Sequence, residues 1–287
     1  MTLGLKFIFF GTPEFAAIVL KKLIKIGLIP EVIVCNPDKP IGRKHIIASP
    51  PAKILAEKHN IKIYQPEKLE IGKWKMEIGK IKPDFAVVVS YAKIIPKEIL
   101  EIPRLGTIGA HPSLLPKFRG PSPIQSFILS GEAETGVTLF LMDEKIDHGP
   151  IFSQQKLEFP TSNFQFSTLQ KELAELSADL LIKILPDIEE KIKNAKPQDE
   201  TRATYTKKFK TEDAFIKPED LEIAVNCGGE AAMIIDKKIR ALNPEPGTWS
   251  IKKNKRMKIL EAILTPDGKL KLKKIQFEGK NPVFCQL

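Results

Sequence analysis

His111 is the residue best suited to move a proton. Imidazole as a class titrates near neutral pH, and this residue stands where the strand-like run "GTIGAH" (106–111) gives way to the turn-rich "PSLLPKFRGPSP". A lone histidine is commonly structural, but so rigid a loop behind it argues for a site. Asp147 is the second candidate. It precedes His148-Gly149-Pro150, a tight turn that can aim a carboxylate inward, although Asp-X-Gly also makes turns for their own sake. A carboxylate beside an imidazole holds its tautomer or stabilises the imidazolium. Two residues before His111, where a strand would present a second polar side chain to the same site, stands Gly109. No serine occupies a GxSxG elbow, and no His, Cys and Glu set has zinc-ligand spacing. That argues against serine and metal hydrolases. It favours transfer between two bound substrates, with the protein supplying positioning, a base and electrostatics.

The elements that must hold these residues are legible around them. "LKFIFFG" is a short apolar strand. Thr12 reads as an N-cap with Pro13 at the first helical position, and Phe15, Ile18, Val19, Leu23 and Ile26 follow with helical spacing until Gly27. "EVIVCN" is the next strand, so the chain opens β-α-β, the mark of a parallel sheet with crossover helices. "DFAVVVS" (84–90), "GTIGAH" and "GVTLFLMD" (136–143) continue it. Strands of such a sheet present ligands at their carboxyl ends, which puts Asn36, Ser90, Tyr91, His111 and Asp143 to Asp147 on one rim. The first βα turn, "GTPEF", lacks a GxGxxG fingerprint, so dinucleotide binding is poorly supported. Leu169, Leu173, Leu176, Leu180 and Ile184 form one stripe of a long helix that Pro186 kinks or ends. "KNAKPQDETRATYTKK" then loses periodicity and reads as a linker. Beyond it "AAMIIDKKIRALNP" is helical, and "GTWSIK", "RMKILEAIL" and "KLKLKKIQFEG" are strands of a small barrel or sandwich.

The 287 residues, 43% hydrophobic, suffice for one large or two medium domains. Cys35, Cys227 and Cys285 are odd in number and far apart, which suggests no disulfide framework and a reducing, cytoplasmic setting. Neither a signal peptide nor a membrane span is expected. The net charge of +10 points to an anionic partner, nucleic acid first, or to a lysine-rich solvated surface. From Tyr205 onward there are about 17 Lys and Arg against about 11 Asp and Glu, so the last part carries more than its share.

Taken together, "FFGTPEFA", "NPDKPIGRKHIIASPPAK", "VVVSYAKIIPKEIL", "HPSLLPKFRGPSPIQ", "ETGVTLFLMDEKIDHGPI", "YTKKFKTEDAFI" and "IRALNPEPGTW" resemble the 10-formyltetrahydrofolate-dependent formyltransferases over nearly the whole chain. HPSLLP followed by DxGPI is specific to that superfamily, and the two ends point to its branches that act on methionyl-tRNA and on sugar nucleotides. The resemblance implies an α/β fold: a Rossmann-like formyltransferase domain with a parallel-rich sheet (1–195), a linker (196–207) and a small OB-type β-barrel that binds tRNA (208–287). It implies formyl transfer from 10-formyltetrahydrofolate to the α-amine of initiator methionyl-tRNA for translation initiation, by a monomer, without metal. It implies that His111 and Asp147 are catalytic. It places the folate along Ser90, Tyr91, Ala92, Lys93, Ile94, Ile95 and Pro96, and along Ser113, Leu114, Leu115 and Pro116. It places tRNA against Lys39, Arg43 and Lys44, and against Lys207, Lys208, Lys253, Lys255 and Arg256. Gly109 departs from the family, whose members carry there an asparagine that helps hold the formyl oxygen. A water, a backbone N–H or a neighbouring side chain substitutes, or the reaction is altered or lost. Sugar-amine formylation, hydrolysis of the folate formyl group, and tRNA binding without turnover are the alternatives. Arg119 is either a substrate contact or a turn anchor.

Overall fold

The structure, a computed structural model, describes residues 4–41, 45–158 and 164–285. It resolves into two compact units, one of 1–120, 134–158 and 170–205, the other of 121–133, 159–169 and 206 onward.

In chain order the elements are β1 (Phe7–Gly11), α1 (Glu14–Lys25), β2 (Val32–Val34), β3 (Lys39–Ile41), β4 (Ile46–Ala48), α2 (Pro51–Lys58), β5 (Lys62–Tyr64), α3 (Ile71–Gly79), β6 (Phe85–Val89), α4 (Lys97–Leu100) and β7 (Thr107–His111). Then follow α5 (Pro123–Ser130), β8 (Thr135–Leu141), β9 (Ile151–Leu157), α6 (Phe166–Ile184) and α7 (Ile188–Lys193). The last stretch holds α8 (Pro218–Asn226), α9 (Gly229–Leu242), β10 (Trp249–Lys252), β11 (Lys255–Leu264), β12 (Leu270–Phe277) and β13 (Val283–Phe284).

The first unit is built on a seven-stranded sheet ordered β5-β2-β1-β6-β7-β8-β9. β5, β2, β1, β6 and β7 run parallel, whereas β8 and β9 pair antiparallel. β1, β2 and β6 are apolar and buried along their whole length, as strands covered on both faces must be. One core cluster joins Ile8, Phe10, Val32, Val34, Val88 and Tyr91 to Trp74 and Ile78 of α3. Thr12 does not cap α1. The cap position is Pro13, and the Thr12 hydroxyl instead accepts from the Asn36 backbone N–H at 3.1 Å, tying β1 to β2 where both strands end. α6 covers the helical stripe foreseen from its leucines, and Pro186 lies in the 3₁₀ turn that ends it. β9 has no counterpart in the sequence reading.

The second unit carries a four-stranded antiparallel sheet, β10-β11-β12-β13, whose buried Met257, Ile259, Ala262 and Leu270 pack with Leu221, Ile235 and Ile239 of α8 and α9. α5 packs on α9 within this unit, although it lies far upstream in sequence. β10 and β11 are joined by Lys253 and Asn254, both left-handed (φ 50° and 57°), as a two-residue type I′ hairpin turn requires. Among the described residues no helix is long and apolar enough to cross a membrane.

Candidate active site

β2, β6 and β7 end at the same edge of the parallel sheet and bring Asn36, Ser90, Tyr91 and His111 to it. The segment from Asp143 to Asp147 arrives differently from the sequence expectation. β8 is antiparallel, so it leaves the sheet level with Ile108, well back from the His111 end of β7. The β8–β9 loop then folds back and brings the Asp147 carboxylate to 3.6 Å from His111 Nδ1. Gly149 permits this path, because a Cβ there would stand 1.7 Å from the Leu141 carbonyl oxygen.

His111 is nearly buried, with only 8% of its side chain exposed. Its Nε2 lies 2.8 Å from the Phe118 carbonyl oxygen. A carbonyl only accepts, so Nε2 carries the hydrogen of this bond. The contact with Asp147 at Nδ1 is an ion-pair distance rather than a hydrogen bond. Asp147 Oδ2 accepts from the Gly120 backbone N–H at 2.7 Å. Both residues facing the imidazole have left-handed backbones, Phe118 at φ 60° and Asp147 at φ 48°. Each such residue costs about 1–3 kcal/mol unless its surroundings hold it, and such strain gathers at functional sites.

Gly109 pairs with Phe140 across β7 and β8. A Cβ at position 109 would fall 2.4 Å from Phe140 Cε1 and 2.5 Å from Cζ. Phe140 is itself buried. An apolar ring, rather than open space or a polar neighbour, therefore stands where the side chain of an asparagine would begin. Of the three substitutes weighed from sequence, a water at this position is the one the ring displaces.

Arg119 is fully buried and is an anchor, not a substrate contact. Its guanidinium donates to Glu200 (2.6 and 3.0 Å), to Gln198 Oε1 (2.7 and 3.1 Å) and to the Tyr205 hydroxyl (3.0 Å). Hydrogen bonding to Glu200 raises the Arg119 pKa and lowers that of the carboxyl. The polar segment 196–205 thus belongs to the first unit: Thr204 bonds the backbone of residues 116, 118 and 119, and Lys196 pairs with Ile151. His148 Nδ1 lies 2.6 Å from Asp143 Oδ2, and its Nε2 lies 3.6 Å from Glu200. Gln198, Glu200 and His148 are absent from the sequence-derived set. Gln198 and Glu200 are isolated polar residues in an aperiodic stretch and read as part of a solvated linker, whereas His148 stands in the turn after Asp147.

The remaining expected residues divide by exposure. Ser90 turns the chain after β6 with φ 50° and is exposed; Ile94 is 90% exposed. Ala92 is exposed, whereas Tyr91 and Ile95 are buried. Burial pushes the Tyr91 hydroxyl up to about 12 and the neighbouring Cys35 thiol up to about 11. Lys93 donates to the carbonyls of Pro66 (2.5 Å) and Glu67 (2.8 Å), and burial lowers its pKa, with Lys39 adding to the effect. Ser113 and Leu115 are buried, and the Ser113 hydroxyl is committed to Lys117 O at 2.6 Å; Leu114 and Pro116 keep partial exposure. Lys39 is exposed at the start of the β3–β4 hairpin, while Arg43 and Lys44 lie outside the described residues. In the second unit Lys208, Lys253 and Lys255 are exposed, Lys207 is paired with Asp213, and Arg256 sits 4.2 Å over the Trp249 ring.

A formyl transferase family model matches residues 5–185, and the model of the formyl transferase C-terminal domain matches residues 215–269. The chain belongs to the formyl transferase family. This enzyme is 37% identical, over 96% of its own length and 92% of the other, to a protein named methionyl-tRNA formyltransferase from Thermotoga maritima. A solved methionyl-tRNA formyltransferase from Clostridium thermocellum superposes with a TM-score of 0.60 at 22% identity, covering 95% of this enzyme and 98% of that chain. An N-formyltransferase from Helicobacter canadensis, in complex with folinic acid and dTDP-3-aminofucose, superposes with a TM-score of 0.58 at 20% identity, covering 91% and 88%. At those identities the two solved structures bear on the fold alone.

Proposed function

We propose that this formyl transferase acts as a cytoplasmic monomer and moves the formyl group of 10-formyltetrahydrofolate to the α-amine of initiator methionyl-tRNA. Its catalytic part would be the first unit, which takes in 196–205, and its tRNA-binding part the second. The observation that carries the reading is the meeting of His111 and Asp147, far apart in sequence, at 3.6 Å on the ligand-binding edge. The name carried by the Thermotoga maritima relative supports methionyl-tRNA as acceptor, and so do the exposed lysines of the β10–β11 hairpin.

The rim loop 90–96 suits a pterin: left-handed Ser90 turns it outward, and the exposed Ile94 offers an apolar surface to a flat ring. The folate supplies an electrophilic formyl carbon. The acceptor amine attacks it, a C–N bond forms, and the bond to the folate nitrogen breaks. Over this exchange the amine loses a proton, the departing folate nitrogen gains one, and negative charge grows transiently on the formyl oxygen. To reach the reacting atoms His111 Nε2 releases the Phe118 carbonyl. With the ring hydrogen then on Nδ1, facing Asp147, Nε2 takes the amine's proton and returns one to the departing folate nitrogen, while Asp147 holds the ring and stabilises the imidazolium. With Phe140 over Gly109, charge on the oxygen falls to His111 and to backbone donors.

Release of tetrahydrofolate is measured with charged initiator tRNA, with a dTDP-amino sugar, and with no acceptor. Formyl-methionyl-tRNA as the product supports the reading. Transfer only to the sugar, or release without any acceptor, overturns it.

A further inference from the structure

Gln198 spans two loops with a fully used amide. Its Nε2 donates to the carbonyls of Asp147 (2.9 Å) and Gly149 (2.8 Å), and its Oε1 accepts from Arg119 Nε (3.1 Å) and Nη2 (2.7 Å). Only one orientation of the amide satisfies this arrangement, because the carbonyls can only accept and the guanidinium can only donate. The left-handed Asp147 is therefore gripped twice: its backbone carbonyl by Gln198, and its carboxylate by the Gly120 N–H, next in sequence to Arg119. Arg119 is in turn fixed by Glu200 and Tyr205 and is fully buried. Arg119, Gly120 and Phe118 share one loop, so the same loop presents the Phe118 carbonyl to His111 Nε2.

We propose that Gln198, held by Arg119, is a positioning residue that sets the Asp147 carboxylate against His111 Nδ1. This rests on the roles given above to His111 and Asp147. The physical reason is the left-handed turn at Asp147. Without two external hydrogen bonds to the carbonyls of 147 and 149, the turn relaxes and the carboxylate withdraws from the imidazole. Misplacement by about 1 Å costs on the order of 10²-fold in rate.

The test uses the full chain with Gln198→Met, Gln198→Glu, Asp147→Asn and the double variant Gln198→Met/Asp147→Asn. Gln198→Glu keeps an acceptor for Arg119 but cannot, when ionised, donate to the two carbonyls. In formyl transfer, both Gln198 variants are expected to lose roughly 10- to 100-fold in kcat, with KM for both substrates within about twofold. In the Asp147→Asn background Gln198→Met should cost nothing further. Equal losses in both backgrounds would mean that Gln198 only maintains the fold, and unchanged kcat would mean that it positions nothing; either overturns the proposal. If the parent chain transfers formyl and Asp147→Asn is impaired while Gln198→Met is not, this inference fails and the functional reading stands. If the parent chain transfers none, or Asp147→Asn is fully active, both fall. A readout independent of turnover is the ¹⁵N signal of the His111 ring, which should move in Gln198→Met; an unmoved signal also overturns the proposal.

Discussion

The phenyl ring of Phe140 occupies the place where a side chain at position 109 would begin, 2.4 Å from the position of its Cβ. The two residues are cross-strand partners on the face that carries His111, so they act as one unit. Glycine is accommodated here because the ring is present. Gly109→Asn alone should destabilise the chain by about 1–3 kcal/mol through overpacking, without raising turnover. Combining it with Phe140→Ala should recover part of the loss that the two substitutions would give if additive. Urea denaturation of the two single variants and the double variant measures that coupling.

His111→Ala should lower kcat by roughly 10²–10⁴-fold, the usual range for a lost acid–base group. Asp147→Asn should be milder, since it keeps the shape and removes the charge facing Nδ1. Steady-state kinetics at saturating folate and tRNA decide it. Near-normal turnover in His111→Ala would remove the histidine from the mechanism.

Arg119 has no exposed surface and uses its guanidinium on Gln198, Glu200 and Tyr205. Arg119→Met should cost about 1–3 kcal/mol, because it leaves the part-buried Gln198 Oε1 without its donor, whereas the half-exposed Glu200 carboxylate returns to water. Arg119→Lys should rescue little, since an ammonium cannot reproduce the fork. Chemical unfolding monitored by Trp fluorescence reads both.

The Glu200 carboxyl is held below its ordinary value chiefly by its hydrogen bond from Arg119. A carboxyl whose pKa is depressed on folding stabilises the fold above its unfolded value, and this contribution is lost as pH falls through the folded value. The Tm difference between the parent chain and Glu200→Gln should thus be full at neutral pH and vanish below the carboxylate range. A difference that persisted in acid would mean that the ion pair does not contribute.

Exposed Lys253 and Lys255 sit at the tip of the β10–β11 hairpin. If they meet phosphates, each change to alanine should reduce the slope of log K against log salt for tRNA binding by about 1, nearly independent of tRNA sequence. Filter binding across a salt series gives the slope directly.

Periodicity and residue chemistry carried much of this protein. The apolar runs of β1, β6 and β7 and the leucine stripe of α6 are local patterns, set by which side chains avoid water. His111 and Asp147 were legible because a titratable ring after a strand and an Asp-X-Gly turn have local signatures. The antiparallel course of β8 has none: a buried strand reads the same in either direction, so only pairing shows that the Asp147 loop must fold back to reach His111. Nor does the sequence reveal that Phe140 covers Gly109, because cross-strand neighbours are chosen by register. Gln198 was the hardest to see. Its four hydrogen bonds join residues 49 to 79 positions away, and a glutamine in a polar stretch declares no partner until the tertiary structure supplies two carbonyls and a buried guanidinium around it.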